Sequence, residues 1–153
     1  MRIRDATETD LGVIRRLLDE QNAFHVDLAP GFFRIGPTGA ERIRGVLDDS
    51  EAVLLVAEHA GGVVGLAEVR LTRTKDLPVL VQKTYAFLQE LYVAEAFRGQ
   101  GIGTELLHAA RAWARDRGAG SIRTAVVPTN DSARRFYAKH GFADTMISLE
   151  ADI

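Results

Sequence analysis

The spacing of apolar residues changes along the chain in a way that predicts alternating strands and helices. Arg2–Arg4 is expected to form a short strand, and Thr7–Asp10 has the residues of a helix cap. Behind that cap, aliphatic side chains recur at helical spacing, at Leu11, Ile14, Leu17 and Leu18. This pattern predicts a helix packed along one stripe, then a turn-rich connection from Phe24 to Gly39 and a short helix at Ala40–Leu47.

Two segments rich in β-branched and aliphatic residues follow, at Ala52–Glu58 and Val63–Leu71. The pair Gly61 and Gly62 between them is a hairpin signal. We therefore predict two antiparallel neighbouring strands, with a further strand at Thr84–Val93.

The segment Thr72–Lys83 turns polar around Pro78 and is predicted to be a loop. It nevertheless contains apolar residues that a loop would expose: Leu77, Val79, Leu80 and Val81. Exposed apolar stretches usually find a cover. We expect either a homodimer, with a pocket open to the partner or to this loop, or a strand folded back onto its own core.

The second half of the chain continues the alternation. A helix is predicted from Ile102 to the stop at Gly118, a strand at Ile122–Val127, a helix at Asn130–His140 and a last strand at Phe142–Leu149. Interleaved strands and helices in one layered structure indicate an α/β fold, or α+β by some schemes.

Composition limits the possible classes of protein. The chain has 153 residues, and we predict one domain over residues 1–153. The net charge of −2 is spread along the chain, so nucleic acid is not expected as a partner. The absence of cysteine excludes disulfides and thiolate chemistry and is typical of a cytoplasmic protein. No segment is predicted to be a signal peptide or to span a membrane.

A glycine-rich turn is the first motif that carries chemistry. Arg98 to Gly103 has the sequence Arg-Gly-Gln-Gly-Ile-Gly and lies between a predicted strand and a predicted helix. Glycines let backbone N–H groups approach a phosphate, and the helix N-terminus adds partial positive charge. The third glycine comes too early for a dinucleotide fingerprint, and the Gly-Lys-Ser/Thr end of a Walker loop is absent. On this motif alone, an anion site and a merely tight turn remain equally open.

A second motif lies one strand and one helix downstream, formed by Asn130, Ala133, Phe136, Tyr137 and the pair Gly141–Phe142. Together with the strand end Glu90–Val93 and the glycine turn, it resembles the GNAT superfamily of N-acetyltransferases. The resemblance implies a single GNAT-like domain with a mixed, mostly antiparallel sheet, splayed central strands and helices on both faces. It also implies direct transfer of the acetyl group of acetyl-CoA, a co-substrate, to a primary amine in a ternary complex.

The resemblance assigns a cofactor-binding role to specific residues. The pantetheine arm would pair with the exposed backbone of Leu91, Tyr92 and Val93, where a backbone N–H would also stabilise the oxyanion. The pyrophosphate would bind the turn formed by Arg98, Gly99, Gln100, Gly101, Ile102, Gly103 and Thr104. The downstream motif would complete the site through Asn130, Ala133, Phe136 and Tyr137.

Tyr137 and Glu90 are the candidate catalytic residues. Tyr137 matches the tyrosine that protonates the departing thiolate in the family, although it could also be a core aromatic beside Phe136. Glu90 is the candidate general base, but the family often has its carboxylate one residue earlier, where this chain has Gln89. Strand alternation would aim residues 89 and 90 at opposite faces.

The remaining ionisable candidates are expected to have ordinary roles. His25 and Glu68 are interpreted as surface or packing residues. The other three histidines are His59, His108 and His140, which lack metal-ligand spacing and are expected to be solvated. No metal site is predicted.

Other functions remain open at this stage. The alternatives are a non-catalytic acyl-CoA-binding or sensing module of the same fold, and a nucleotide-binding protein built on the glycine turn. The acceptor, a small-molecule amine or a protein or peptide amine, would be selected by the Phe24–Gly39 connection and the Thr72–Lys83 loop.

Overall fold

The computed structural model describes all 153 residues and has a five-stranded mixed sheet at its centre. The strands lie side by side in chain order: β1 Arg2–Asp5, β2 Ala52–His59, β3 Gly62–Arg73, β4 Thr84–Val93 and β5 Ile122–Arg123. The first four are antiparallel neighbours, whereas β5 is parallel to β4. The helices are α1 Leu11–Leu28, α2 Ala40–Leu47, α3 Ile102–Asp116 and α4 Asp131–Lys139.

Helices cover both faces of the sheet because successive strand residues point to opposite sides. On one face, Ile14 and Leu17 of α1 and Ile43 of α2 are fully buried against Leu66 of β3. On the other face, α3 packs its buried apolar stripe against the sheet, and aromatic side chains of α4 pack beside it. The central strands β2, β3 and β4 therefore contribute apolar side chains to both faces of the sheet. None of the helices is long and apolar enough to cross a bilayer.

Most predicted elements are confirmed, and three are corrected. The connection predicted from Phe24 begins only after Leu28, because no proline interrupts α1 before Pro30. The strand predicted at Ile122–Val127 is reduced to Ile122–Arg123, since beyond it the side chain of Thr124, not the backbone, bonds to β4.

The last strand predicted, Phe142–Leu149, is not formed. Residues 143–153 make no backbone hydrogen bond in this chain, and an extended segment without a neighbouring strand is not a stable strand. The segment between β3 and β4 is a loop, as predicted, and does not fold back as a strand. Its apolar side chains are exposed, most of all Val79 and Val81.

Candidate functional site

The sheet opens between β4 and β5. These strands share only two residue pairs, Ala86 with Ile122 and Phe87 with Arg123. The next connection is the Thr124 hydroxyl, which donates to the carbonyl oxygen of Leu88 at 3.0 Å. From there to the end of β4, its outer edge has no strand partner, so a linear ligand with amide groups could pair with it.

The glycine turn lies directly beyond this open edge, between β4 and α3. Gly99 and Gly101 have φ angles of +75° and +81°, a left-handed conformation that side chains disfavour. None of the consecutive amides from Gly99 to Thr104 donates a hydrogen bond to a protein acceptor. A run of free N–H groups that continues into the first turn of a helix is a physical site for an anion.

Two side chains expected at this turn are engaged with the protein. The Arg98 guanidinium turns back, donates from Nε to the carbonyl oxygen of Val93 at 2.9 Å and lies over the rings of Phe24 and Tyr92. The Thr104 hydroxyl is 3.2 Å from Nε2 of His140. In this structure, backbone amides rather than these two side chains face the turn.

The prediction of a solvated His140 is wrong. Its Nδ1 lies 2.8 Å from the carbonyl oxygen of Phe136, which can only accept, so Nδ1 carries a proton. In the neutral ring, Nε2 is then the acceptor for Thr104. The half-buried imidazole thus ties the end of α4 to the first turn of α3.

The downstream motif packs α4 against the glycine turn. The Asn130 side chain is buried and caps α4, with Oδ1 accepting from the N–H of Ala133 at 3.1 Å. A Cβ added at Gly103 would lie 3.6 Å from Cε2 of Phe136, an ordinary van der Waals distance, so the Phe136 ring lies next to the first turn of α3. The motif residues are therefore neighbours of the turn in space, although they are a strand and a helix away in sequence.

Tyr137 lies at the inner end of the gap between β4 and β5. Its side chain lies beside Thr124, whose hydroxyl donates to Leu88. Burial raises the pKa of Tyr137 to about 12, and the nearby charge of Glu90 adds to the rise, against a smaller opposing effect of the Thr124 side chain. The phenol is thus a proton donor at neutral pH, near the carboxylate of Glu90.

A β-bulge decides which way Glu90 points. Glu68 on β3 pairs with Glu90 and Val69 pairs with Leu88, so Gln89 has no partner and the alternation of β4 shifts by one residue. Leu88 consequently lies in the core on the α3 face, while Tyr92 lies in the core on the α1 and α2 face. Glu90 shares the face of Tyr92, and Gln89 is solvent-exposed.

Glu90 lies in a cluster of charged side chains. Directly across from it on β3 is Glu68, which is 1% exposed, and Arg42 of α2 lies between the two carboxylates. The Arg42 Nη2 atom is 2.8 Å from Glu68 and 3.6 Å from Glu90. Glu68 is also 3.5 Å from Nε of Arg70. The interpretation of Glu68 as an ordinary packing residue is therefore wrong, since it is a buried partner of the candidate base.

The pKa of Glu90 is raised to about 7. Burial is the main cause, and the nearby charge of Glu68 adds to the rise, while the charge of Arg42 and the polar side chain of Gln21 lower the pKa. A carboxyl group that ionises near neutral pH can accept a proton under physiological conditions.

A cavity of about 250 Å³ opens beside Glu90, between α1 and α2. Glu90 and Arg42 are its only charged lining residues, and His25, stacked on Phe33, forms part of its wall. Burial lowers the pKa of His25, so this wall is neutral at physiological pH. Residues of the Phe24–Gly39 segment line this cavity, whereas no residue of the Thr72–Lys83 loop does.

A larger hollow of about 570 Å³ lies on the exposed side of α1 and is lined by residues of that helix alone. It contains none of the groups described above. Nowhere in the structure do three His, Cys, Asp or Glu side chains group as metal ligands.

The structure thus places Tyr137 at the inner end of the gap and the glycine turn at its outer end, while Glu90 lies on β4 between them and faces α1 and α2. Sequence reasoning did not find Arg42 and gave Glu68 only an ordinary surface or packing role. For Glu68 a signal existed, because a carboxylate in the middle of an apolar strand needs a buried partner. For Arg42 none existed, because its partners lie on strands distant in sequence.

Comparison with known proteins finds one family whose model matches most of the chain. The family is described as acetyltransferase (GNAT), and the match covers residues 15–142. An uncharacterised N-acetyltransferase of Mycobacterium bovis is 36% identical over 96 residues, which are 63% of this chain and 56% of that protein. The chain thus aligns with little more than half of the length of this relative.

An aminoglycoside N(6')-acetyltransferase type 1 of Stenotrophomonas maltophilia is 30% identical over 138 residues, and the alignment covers 86% of this chain and 86% of that protein. Among solved structures, a mutant protein of Bacillus halodurans superposes with a TM-score of 0.94 at 26% identity, covering 100% of this chain and 99% of that one. An aminoglycoside N-acetyltransferase in complex with CoA superposes at 0.75 and 19% identity, covering 99% and 98%.

Proposed function

Since this chain belongs to the GNAT family of acetyltransferases, we propose that it is an acyltransferase, which transfers the acetyl group of acetyl-CoA to a primary amine within a ternary complex. The observation that carries this proposal is the run of free amides from Gly99 to Thr104 beside the open edge of β4. The turn would bind the pyrophosphate, and the β4 edge at Leu91–Val93 would pair with the pantetheine arm. Asn130, Ala133 and Phe136 would hold α4 against this site.

In the proposed reaction, Glu90 acts as the general base and Tyr137 as the general acid. An alkylammonium with a pKa near ~10.4 must lose a proton before its nitrogen can attack, and Glu90 would accept that proton, directly or through water. The nitrogen would attack the thioester carbon to form the C–N bond, and a backbone N–H near Leu91 or Tyr92 would stabilise the resulting oxyanion. The C–S bond would then break as the Tyr137 hydroxyl donates its proton to the departing thiolate, and the second proton of the nitrogen would return to Tyr137. Glu90 would release its proton to solvent.

We propose a small amine with a single cationic group as the acceptor. The cavity beside Glu90 is small, and its two charged lining residues are of opposite sign. A polycationic aminoglycoside would find only one carboxylate there, because Glu68 is buried beneath Arg42. The name of the Stenotrophomonas relative therefore does not determine the acceptor of this chain.

Assembly and location are also proposals. The exposed apolar side chains of the loop between β3 and β4 support a homodimer, because such surfaces usually find a cover. The lack of cysteine supports a cytoplasmic location.

A screen of amines with acetyl-CoA, following free thiol, tests the proposed reaction. The chain contains no cysteine, so a thiol reagent detects only released CoA. We expect release that depends on a monoamine and is slower with aminoglycosides, and mass spectrometry should find one acetyl group on the amine. Acetyl-CoA binding by calorimetry without transfer to any amine would instead support a non-catalytic module. Absence of binding would overturn the assignment of the site.

A further inference from the structure

The guanidinium of Arg42 has more hydrogen-bond donors than the protein uses. Arg42 belongs to α2 and lines the cavity beside Glu90, and its side chain is 43% exposed. Its Nη2 atom donates to Glu68 at 2.8 Å, whereas its Nε and Nη1 atoms donate to no acceptor in the protein. A guanidinium has five N–H donors, and one carboxylate takes at most two of them. The others are free to bind an anionic group of a molecule in the cavity.

A second polar side chain of the same cavity has no partner. Gln21 of α1 is only 6% exposed, and it lies near enough to Glu90 to lower the pKa of that carboxyl group. Its amide forms none of the side-chain hydrogen bonds of the structure, and none of its polar atoms is sealed off from the cavity. Buried polar side chains are normally hydrogen-bonded, so this amide is available to a bound molecule.

The wall formed by the connection between α1 and α2 is held in place by α1. The Asn22 amide donates to the carbonyl oxygen of Arg34 at 3.2 Å and accepts from the N–H of Gly36 at 3.1 Å. One turn earlier, the Asp19 carboxylate accepts from the N–H of Thr38 at 3.2 Å. Because Gly36 and Thr38 line the cavity, its volume of about 250 Å³ is preformed and limits the acceptor to a small molecule.

The charges around Glu90 favour an acceptor that has both signs of charge. Nη2 of Arg42 is 3.6 Å from Oε1 of Glu90, so an ammonium group beside Glu90 is also close to a guanidinium that repels it. Glu68 is paired with Arg70 as well, at 3.5 Å, so two arginines balance the two carboxylates of the cluster. A negative group on the acceptor, placed next to Arg42, replaces this repulsion with attraction.

We infer, on the basis of the proposed acetyl transfer, that the acceptor is a small zwitterion whose carboxylate is one or two carbons away from its primary amine. The amine lies beside Glu90, which takes its proton, and the carboxylate accepts hydrogen bonds from the free N–H groups of Arg42. The oxygen of the Gln21 amide accepts a hydrogen bond from the amine. The short distance between Arg42 and Glu90 matches the short distance between the two charges of such a molecule. The rest of the acceptor is uncharged, as the remaining lining of the cavity is.

Pairs of acceptors that differ only in the carboxylate test this inference. Suitable pairs are alanine or β-alanine with ethylamine, leucine with 3-methylbutylamine, and phenylalanine with 2-phenylethylamine. The measured quantity is the ratio of kcat/KM for the amino acid to kcat/KM for the matching amine, with free thiol as the readout. Since the carboxylate also changes the basicity of the amine, the decisive result is how this ratio changes when Arg42 is replaced.

Arg42→Gln should lower the ratio about 10- to 100-fold in at least one pair, mainly by raising KM for the amino acid. The substitution also changes the pKa of Glu90, but this acts on both acceptors and cancels from the ratio. Arg44→Gln is the matched control, because it removes an arginine of the same helix that pairs with Glu8 and does not line the cavity. Its ratio should equal that of the wild type.

Arg42→Lys keeps the positive charge but not the planar set of donors, so its ratio should lie between those of the wild type and Arg42→Gln. It carries the test if thermal unfolding shows that Arg42→Gln does not fold. An enzyme that acetylates these amines with the same ratio whether residue 42 is Arg, Lys or Gln would overturn the inference and leave the proposed function standing. No transfer to any acceptor of either series would overturn both.

Discussion

At the scale of single residues, the ionisation of Glu90 makes a prediction about pH. Its carboxyl must be ionised to accept a proton, and burial raises its pKa to about 7. We expect kcat/KM to rise with pH through an apparent pKa near 7, and Glu90→Gln to lower it about 100-fold and remove this limb. A pH–rate profile of both proteins with one amine measures this. An unchanged limb in the variant would assign it to another group.

The same ionisation has a consequence for stability. The folded pKa of Glu90 lies above the ordinary value of 4.5, so the native state holds the proton more tightly than the unfolded chain. The stabilisation from this group is therefore complete below about pH 4.5 and is lost as the pH rises through about 7. Glu90→Gln should increase the free energy of unfolding at pH 8 relative to the wild type more than at pH 5, as urea titrations would measure.

Glu68 gives a second prediction for the same pH profile. Its negative charge raises the pKa of Glu90, and it holds Arg42 at 2.8 Å, away from Glu90. Glu68→Gln removes the charge and frees Arg42, so both effects should move the limb of the kcat/KM profile to lower pH. Asp49→Asn is the matched control, because it removes the other partner of Arg70 without facing Glu90. An unmoved limb in Glu68→Gln would show that the two carboxylates do not interact.

A substitution at Tyr137 should change the rate of acetyl transfer without changing the affinity for acetyl-CoA. The ring packs against Phe136 and Phe142, so Tyr137→Phe keeps the packing and removes only the hydroxyl. We expect kcat to fall about 100-fold, with acetyl-CoA affinity nearly unchanged. Phe142→Leu is a control for disturbed packing and should preserve kcat. Wild-type turnover of Tyr137→Phe would mean that the thiolate leaves without this acid.

At the scale of elements, the turn between β4 and α3 depends on left-handed glycines. A Cβ at Gly101 meets no atom of the protein, but φ is +81° and a branched side chain is strained there. Gly101→Val should therefore shift the amides and weaken acetyl-CoA binding at least 10-fold by calorimetry. Gly118→Val is matched in strain, at φ +80°, and lies outside the site. Equal affinity losses in both variants would attribute the effect to destabilisation alone.

At the scale of the whole molecule, we expect acetyl-CoA bound between β4 and β5 to stabilise the folded protein against unfolding. Only two residue pairs join β5 to β4, so a ligand in the gap adds contacts that the protein itself lacks. At a concentration of 100 times Kd, binding stabilises the native state by about 2.7 kcal/mol, which should raise Tm by roughly 5–10 °C. Thermal unfolding with and without acetyl-CoA measures this, and Gly101→Val should lose most of the increase. A Tm independent of acetyl-CoA would contradict the site.

The sequence by itself determined those features that depend on local spacing. The apolar stripe of α1, the β2–β3 hairpin, the loop after β3 and the strand Thr84–Val93 all follow from periods and turn residues within a few positions of one another. The glycine turn could be located for the same reason, because a left-handed backbone requires glycine wherever it occurs. The grouping of this turn with Asn130 and Tyr137 was predicted only through resemblance to a family.

Only the tertiary structure decided how the reactive groups are aimed. The bulge at Gln89 turns Glu90 toward α1 and α2, and it arises from the register between β3 and β4, which no local pattern reveals. The pairing of Glu68 with Arg42 joins residues 26 positions apart for the same reason. The last segment is the opposite case, since the sequence predicted a strand at Phe142–Leu149, but residues 143–153 form no backbone hydrogen bond with any edge of the sheet.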